Sequence, residues 1–464
     1  MRKLLITNID WVITVDRERR MIEDGAIAIA GDRIAAVARS ASLAETFHAD
    51  EVIDGRGLIA LPGLIDASVA TVQQLGRGAG DFCDAAKYRL ERCLAYEGAL
   101  ASEDALWAAR ASQLEMIRAG TTCFLDSGSR FPGEIAAAAI ESGLRAIVPR
   151  ACGDVFDTAM GTFPVSVARE TRDETLRHAE SAIRQIRGLG HSRAQPALAL
   201  PWMAACSDEL CRDVAELARN SGVLVVADAG RTRDDAVASR IQHKRTEIGR
   251  LQAAGLLGHR TVVSHAGWTA PRDMAALAET RTHVACCPSM SHRLGSGSLE
   301  FGRYPELLEF GVNVALGSGS AMASNYLDIA RQLFLFSGGN KAFRLDASVT
   351  PPETAVEMAT IRGAAALGLE REIGSLEAGK HADIALFRAL AADWVPLINP
   401  IANIVFSSRG GAHTVIVDGN VLLHDGELRT IDEERYLAEC QARAEALMLS
   451  AGLARFCAPQ WTIE

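Results

Sequence analysis

Short runs of alternating apolar and polar positions open the chain at Leu4 to Val15, Ala26 to Ala30 and Ile34 to Val37, broken at Glu23-Asp24-Gly25 and Gly31-Asp32. Period-two alternation punctuated by Gly and Asp predicts a small antiparallel sheet. The same texture returns at Ala382 to Phe387, Asn403 to Ser407 and Thr414 to Val417, the last followed by Asp418-Gly419 and Val421 to His424. One β domain assembled from both termini is therefore expected. An amphipathic segment, Glu433 to Leu449, predicts a closing helix.

Between these ends lie eight short apolar runs: Leu58 to Ile65, Thr121 to Leu125, Arg145 to Pro149, Pro196 to Leu200, Val223 to Ala227, Thr261 to Ser264, Thr282 to Cys286 and Val312 to Gly317. Helical patterns separate them, such as Ser102 to Ala119 with Ser102 as the expected N-cap, and Ser207 to Ser221 with another Ser-x-x start. Eight such units in series predict an α/β protein with a closed (β/α)8 TIM-like barrel, accompanied by a small β-sandwich domain. The expected boundaries are 1–57 and 366–432 for the sandwich, 58–365 for the barrel, and 433–464 for the C-terminal helix and tail. In such a barrel the chemistry sits where strands end and loops begin.

The length of 464 residues suits this two-domain arrangement, and 48% hydrophobic with 23% charged residues is the balance of a large packed core. A net charge of −10 excludes the clustered basic surface that nucleic acid requires. No apolar run approaches the roughly 18 residues of a membrane helix, and Met1 to Asp10 lacks the apolar centre of a signal peptide, so a cytoplasmic protein without a membrane partner is expected. The ten cysteines are scattered without a repeated Cys-x-x-Cys spacing, which fits reduced thiols. Only the adjacent Cys286 and Cys287 stand out.

Several segments at the strand ends carry a recognisable pattern: Leu61-Pro-Gly-Leu-Ile-Asp-Ala67, Ala119-Gly-Thr-Thr122, His265, Leu294-Gly-Ser-Gly297, Val314-Ala-Leu-Gly317, Ile373-Gly-Ser-Leu-Glu-Ala-Gly-Lys-His-Ala-Asp383 and Val415-Ile-Val-Asp-Gly-Asn420. Together they span nearly the whole chain. On these motifs it resembles the amidohydrolase superfamily, especially the triazine chlorohydrolases and aminohydrolases, with the cytosine and guanine deaminases close by. The resemblance implies the barrel with its flanking β domain and a metal-dependent hydrolytic site. That site's residues differ here. Where the family has Pro-Gly-Phe-x-x-Ala-His-x-His, the two histidine positions are Ser68 and Ala70. Where it has His-Leu/Met-Ala-Glu after the fifth strand, the chain reads Asp228-Ala229-Gly230-Arg231. The Gly-Thr-Asp after the eighth strand is Gly317-Ser318-Gly319, and a common His-Cys-Pro start is Cys286-Cys287-Pro288. From the implied catalytic set only His265 is kept.

Tight zinc or iron binding needs three or four donors converging at about 2.0 to 2.3 Å. Asp228 and His265 supply two, so no metal ligand set and no cofactor are expected. A bound metal lowers the pKa of water from about 15.7 to about 7, roughly 12 kcal/mol of nucleophile activation that no remaining residue replaces. His265, Asp228 and Arg231 are the candidate catalytic residues, and Ser68, Cys286, Ser318 and Ser320 the candidate substrate-binding residues. Each also has a bland reading: His265 as a packed histidine, Asp228 with Arg231 as a salt bridge filling the metal's space, the serines as polar packing, and Cys286 with Cys287 as two faces of one strand. The sharper reading of Arg231 is a planar fork for a carboxylate or amide.

Three functions are compatible with these residues. The leading expectation is a non-catalytic pseudoenzyme, a subunit or scaffold in a homo-oligomer or beside an active paralogue. The first alternative is a metal-independent hydrolase or aminohydrolase acting on C–N or C–Cl bonds of a nitrogenous heterocycle or amide. The second is a binding protein for a small nitrogenous ligand, with Arg231 as anchor.

Overall fold

The computed structural model describes residues 2–81, 83–155, 157–158, 161–162, 170–457 and 461. Residues 458–460 and 462–464 of the expected tail lie outside them. Eight parallel strands form the barrel: Leu64–Val69, Thr121–Asp126, Arg145–Ala151, Ala194–Leu200, Leu224–Ala229, Thr261–His265, His283–Cys286 and Val314–Leu316, each pairing with the next. The first and last meet through a parallel bridge between Val69 and Gly319. Inside, Ile65, Ala67, Cys123, Leu125, Ile147, Val226, Val262 and Ala285 fill the lumen, the small and branched side chains that a closed barrel accommodates.

A separate nine-stranded mixed sheet draws on both termini, centred on Lys3–Ile13, Leu58–Pro62 and Ile384–Arg388. The alternating Leu4, Ile6, Ile9 and Val12 pack with Ile27, Ile29, Ile384, Leu386 and Ile416 into its core. The apolar run from Leu58 to Ile65, expected as one barrel strand, is two. Leu58–Pro62 pairs with Trp11–Val12 and with Ile384–Arg388, and the barrel begins only at Leu64. Asn403 to Ser407, expected as a strand, lies in the helix Pro400–Phe406. Asn399 caps it by accepting from the Ala402 N–H at 3.1 Å, and Pro400 occupies the first turn. That start signal overrides the β-like apolar run. Ser207 caps Asp208–Ser221 as expected, whereas Ser102 is the first residue of its own helix and the N-cap is Ala101. The closing helix Glu433–Ser450 packs on Ser102–Arg118, with the Trp107 and Tyr436 rings edge to face at 5.5 Å. Among the described residues no helix is long and apolar enough to cross a membrane.

One buried cation joins barrel to sandwich. Arg145, at the start of the third barrel strand, donates from Nε to Asp383 Oδ2 (3.2 Å) and from Nη2 to Asp418 Oδ1 (2.6 Å). Asp383 also accepts from the Asp418 N–H at 3.0 Å, and His381 Nδ1 lies 2.8 Å from Asp418 Oδ1. Burial opposes ionisation of Asp418, but His381 and Arg145 hold its carboxyl down to about 2. A depressed acid contributes stability above its unfolded pKa of about 4 and loses it as pH falls through the folded value. Arg145→Ala strands two carboxylates at the junction and should lower unfolding free energy by about 3–5 kcal/mol in urea titrations. It should also flatten the loss of wild-type stability between about pH 4 and pH 2.

Candidate active site at the barrel mouth

The floor of the mouth is built around Asp66, fully buried on the first strand. Its Oδ1 accepts the Ser68 N–H at 3.2 Å and the Ser318 N–H at 3.0 Å, and its Oδ2 accepts the Ser318 hydroxyl. Burial pushes the Asp66 carboxyl up to about 7 although all three hydrogen bonds pull it down. Gly319 N–H donates to the Ser68 carbonyl at 3.0 Å and the Ala70 N–H donates to the Gly319 carbonyl at 2.7 Å. The Ser68 hydroxyl points into a cluster, 3.0 Å from Ser264 Oγ and 3.4 Å from Ser127 Oγ. Hydroxyls thus gather where the family places imidazoles.

On one wall, Arg231 Nη1 donates to Asp228 Oδ2 at 3.2 Å, and His265 Nε2 lies 3.9 Å from the same oxygen. Arg231 Nη2 stands 3.8 Å from Asp235 Oδ2. Burial works against the Arg231 charge, but Asp228 and Asp235 outweigh it and the guanidinium stays protonated. Burial lowers the His265 pKa, with Asp228 opposing and Arg231 assisting, so the imidazole is neutral at pH 7. His265 has a φ of +74°, a left-handed backbone that is uncommon off glycine and typical of a functional turn, and its carbonyl is held by the Tyr304 hydroxyl at 2.6 Å.

The roof comes from a helical stretch, Ala85–Lys87, Tyr88–Cys93 and Leu94–Ala99, whose middle segment is a π-helix. Tyr88 donates to Gln73 Oε1 at 3.1 Å and lies 3.3 Å from Ser320 Oγ, while Gln73 Nε2 donates to Glu97 at 3.2 Å. Arg89 Nη1 stands 3.7 Å from Glu97. Roof, floor and wall enclose a cavity of about 60 Å³. π-turns recur at functional sites because the extra residue per turn re-aims side chains. No spacing in the sequence announced this one, and Tyr88, Arg89, Cys93 and Glu97 were missed.

Of the candidate residues, Asp228, Arg231, His265, Ser68 and Ser320 line this cavity. Cys286 and Ser318 do not. Cys286 faces the core beside Tyr304, its thiol pushed up to about 12 by burial, and Ser318 is spent on Asp66. Strand alternation and the seam geometry decide both placements. A larger hollow of about 680 Å³ lies at the opposite end of the barrel, lined by Arg187, His191, His259 and Arg260. Helices Arg172–Gly188 and Asp208–Ser221 end there, Arg187 donates to the Ser221 carbonyl at 2.6 Å, and barrel chemistry belongs at the other face.

A family model described as Amidohydrolase family matches residues 59–422. The chain belongs to the amidohydrolase family. The 5-methylthioadenosine/S-adenosylhomocysteine deaminase of Moorella thermoacetica is 32% identical over 91% of this chain and 95% of that protein. Among solved structures, an adenosine deaminase from Xanthomonas campestris with bound zinc superposes with a TM-score of 0.89 at 24% identity, covering 97% and 99% of the two chains. Atrazine chlorohydrolase from Arthrobacter aurescens TC1, complexed with zinc, gives 0.84 at 24% identity over 95% and 100%. The expectation of a non-catalytic pseudoenzyme is corrected by this comparison: a relative 32% identical over nearly the full length of both chains carries a deaminase's name. That expectation took the loss of imidazoles as the loss of a site, whereas a polar cavity lined by Asp228, Arg231, His265, Arg89 and Glu97 stands in the same place.

The donor set does not fit the zinc those structural neighbours carry. At the positions corresponding to the family's ligands only Asp228 and His265 are donors, the Arg231 cation already sits against Asp228, and Ser68, Ala70 and Gly319 bring no imidazole or carboxylate. Among the described residues no group of three or more His, Cys, Asp or Glu side chains is disposed to hold a metal ion. Gly319 has a φ of +79°, and a Cβ there would lie 3.1 Å from Met290. Gly319→Asp should therefore cost about 1–3 kcal/mol in chemical denaturation rather than supply a ligand.

The floor also sets a pH dependence. Asp66 rises to about 7, and burial with Asp235 raises Glu247 to about 8. A raised acid contributes its full stability below the unfolded pKa of about 4 and loses it as pH climbs through the folded value. Thermal midpoints should fall as pH rises from about 5 to 8.5. A flat or rising midpoint across that range would contradict the buried neutral acids.

Proposed function

We propose that this chain is an aminohydrolase that cleaves an exocyclic C–N bond of a nitrogenous heterocycle, of the aminopurine nucleoside type named for its deaminase relatives, without the family's metal. The observation that carries the reading is that His265, Asp228 and Arg231 face one polar cavity in a chain whose full-length relative is named a deaminase. The neutral His265 imidazole can take a proton from a water adding to the ring carbon that bears the amino group. Arg231 can donate to the ring nitrogen where negative charge collects, and Asp228 balances the imidazolium formed beside it. Returning that proton to the amino group releases ammonia, and passage of the added hydroxyl's proton to the adjacent ring nitrogen leaves a ring carbonyl, so the net reaction consumes one water.

Magnitudes set the expected rate. Positioned acid–base catalysis contributes about 10²–10⁴-fold, against the roughly 12 kcal/mol of water activation a metal supplies. The enzyme is accordingly expected to be slow beside metal-dependent relatives. The cavity of about 60 Å³ is also smaller than the ~300 Å³ or more that ordinary ligands occupy, so the roof formed by residues 85–99 has to lift for a nucleoside to enter.

Ammonia release from 5-methylthioadenosine, S-adenosylhomocysteine, cytosine and an aminotriazine should be measured on chelator-treated protein. Turnover of at least one, unchanged by chelator and reduced about 10²-fold or more in His265→Ala and Arg231→Ala, is the expected result. Activity appearing only on addition of zinc sinks the metal-free chemistry. No turnover of any of them by the folded protein sinks the reading as a whole.

A further inference from the structure

The turn carrying Asp228 and Arg231 is anchored by a residue outside the cavity. Gly230, with a φ of +66°, sits between them, and both of its backbone groups are engaged. Its carbonyl accepts the Trp268 N–H at 2.9 Å, and the Ala229 carbonyl accepts the Ala266 N–H at 2.9 Å, so this turn is stitched to the one that follows His265. Its N–H donates to Glu247 Oε2 at 2.7 Å. Glu247 is buried at the first turn of the helix Glu247–Ala253, which Thr246 caps.

The surroundings make this carboxyl unusual. Asp228 and Arg231 on the turn and Asp235 on the helix Arg233–His243 act on it. His265, which shares Asp228, Arg231 and Asp235 as neighbours, ends the sixth strand, and Asp273 of the helix Pro271–Thr280 holds Thr246 Oγ1 at 2.7 Å. Three carboxyls thus surround the single guanidinium of Arg231. Two uncompensated negative charges in a buried cluster are too costly to keep, and the acid against Gly230 is the one held neutral.

We propose that Glu247 is a positioning residue for the site, fixing the Gly230 turn so that Asp228 and Arg231 meet His265 in register. The inference rests on the reading of this cavity as the catalytic one. Only its acceptor oxygen matters to the turn, and a displacement of about 1 Å in a catalytic constellation is worth on the order of 10²-fold in rate.

Two variants separate geometry from charge. Glu247→Gln keeps an acceptor at the same reach, and Glu247→Asp keeps the acid but withdraws it by one methylene. Turnover, thermal midpoint and the titration of His265 followed by proton NMR should be measured on both. Glu247→Gln is expected to keep kcat within about threefold and leave the His265 titration in place. Glu247→Asp is expected to lose about 10²-fold in kcat and to move the His265 midpoint, because Asp228 and Arg231 bias that imidazole in opposite directions. An Asp variant that behaves like wild type, a Gln variant that loses as much as Asp, or a loss of stability with the His265 titration unmoved would each overturn the proposal. If the wild-type protein turns over none of the four probes, the functional reading fails alone, and the His265 titrations of the two variants still decide the role of Glu247.

Discussion

Closing eight strands into a ring obliges the first strand to meet the last, and here the meeting is organised by one buried carboxyl. Asp66 accepts from Ser68 on its own strand and from both the backbone and the hydroxyl of Ser318 across the seam. The reciprocal bonds between Ser68, Gly319 and Ala70 follow from the register this sets. The serine cluster and the Asp228 and His265 pair are aimed from that ring, and only the roof comes from elsewhere. At Gly319 the backbone of the seam is left-handed and Met290 stands close, so an aspartate there is strained.

The mouth is a low-dielectric site that carries more acid than base. Asp228, Asp235 and Glu247 share Arg231, and the excess is relieved by a proton on Glu247, while burial keeps His265 neutral. That distribution sets a neutral base, His265, beside Asp228 and the fixed Arg231 cation at neutral pH. Sites whose neighbours drive titratable groups apart are where acid and base roles can be divided. The same burial destabilises the fold as pH rises, so the chemistry and the pH profile of stability share one cause.

Family membership and the metal are separable questions in this chain. The barrel, the sandwich and the Arg145 junction keep the architecture among the described residues, and the deaminase relative covers 91% of the chain. The donor positions do not follow. Zinc chemistry requires three or more convergent donors, and a guanidinium 3.2 Å from Asp228 supplies positive charge without Lewis acidity or a bound hydroxide. In the proposed metal-free reaction, Arg231 would provide orientation and electrostatic stabilisation.

Local pattern carried the fold because strand and helix periodicity is written in neighbouring residues. The eight barrel runs, the terminal strands, the Ser207 cap and the closing helix were all legible, and the family motifs pointed to Asp228, Arg231 and His265 before any coordinates. The errors were local contests between signals: Asn399-Pro400 started a helix through Asn403 to Ser407, and one apolar run from Leu58 to Ile65 served two sheets. Tertiary structure alone decided which strand face Cys286 presents, that Ser318 serves Asp66, that a π-turn brings Tyr88 and Arg89 over the cavity, and that Glu247 reaches Gly230 across seventeen residues. Those outcomes depend on where burial raises the energy of a charge and which distant backbone groups lack a partner. Both are set by the closed barrel and by no stretch of sequence.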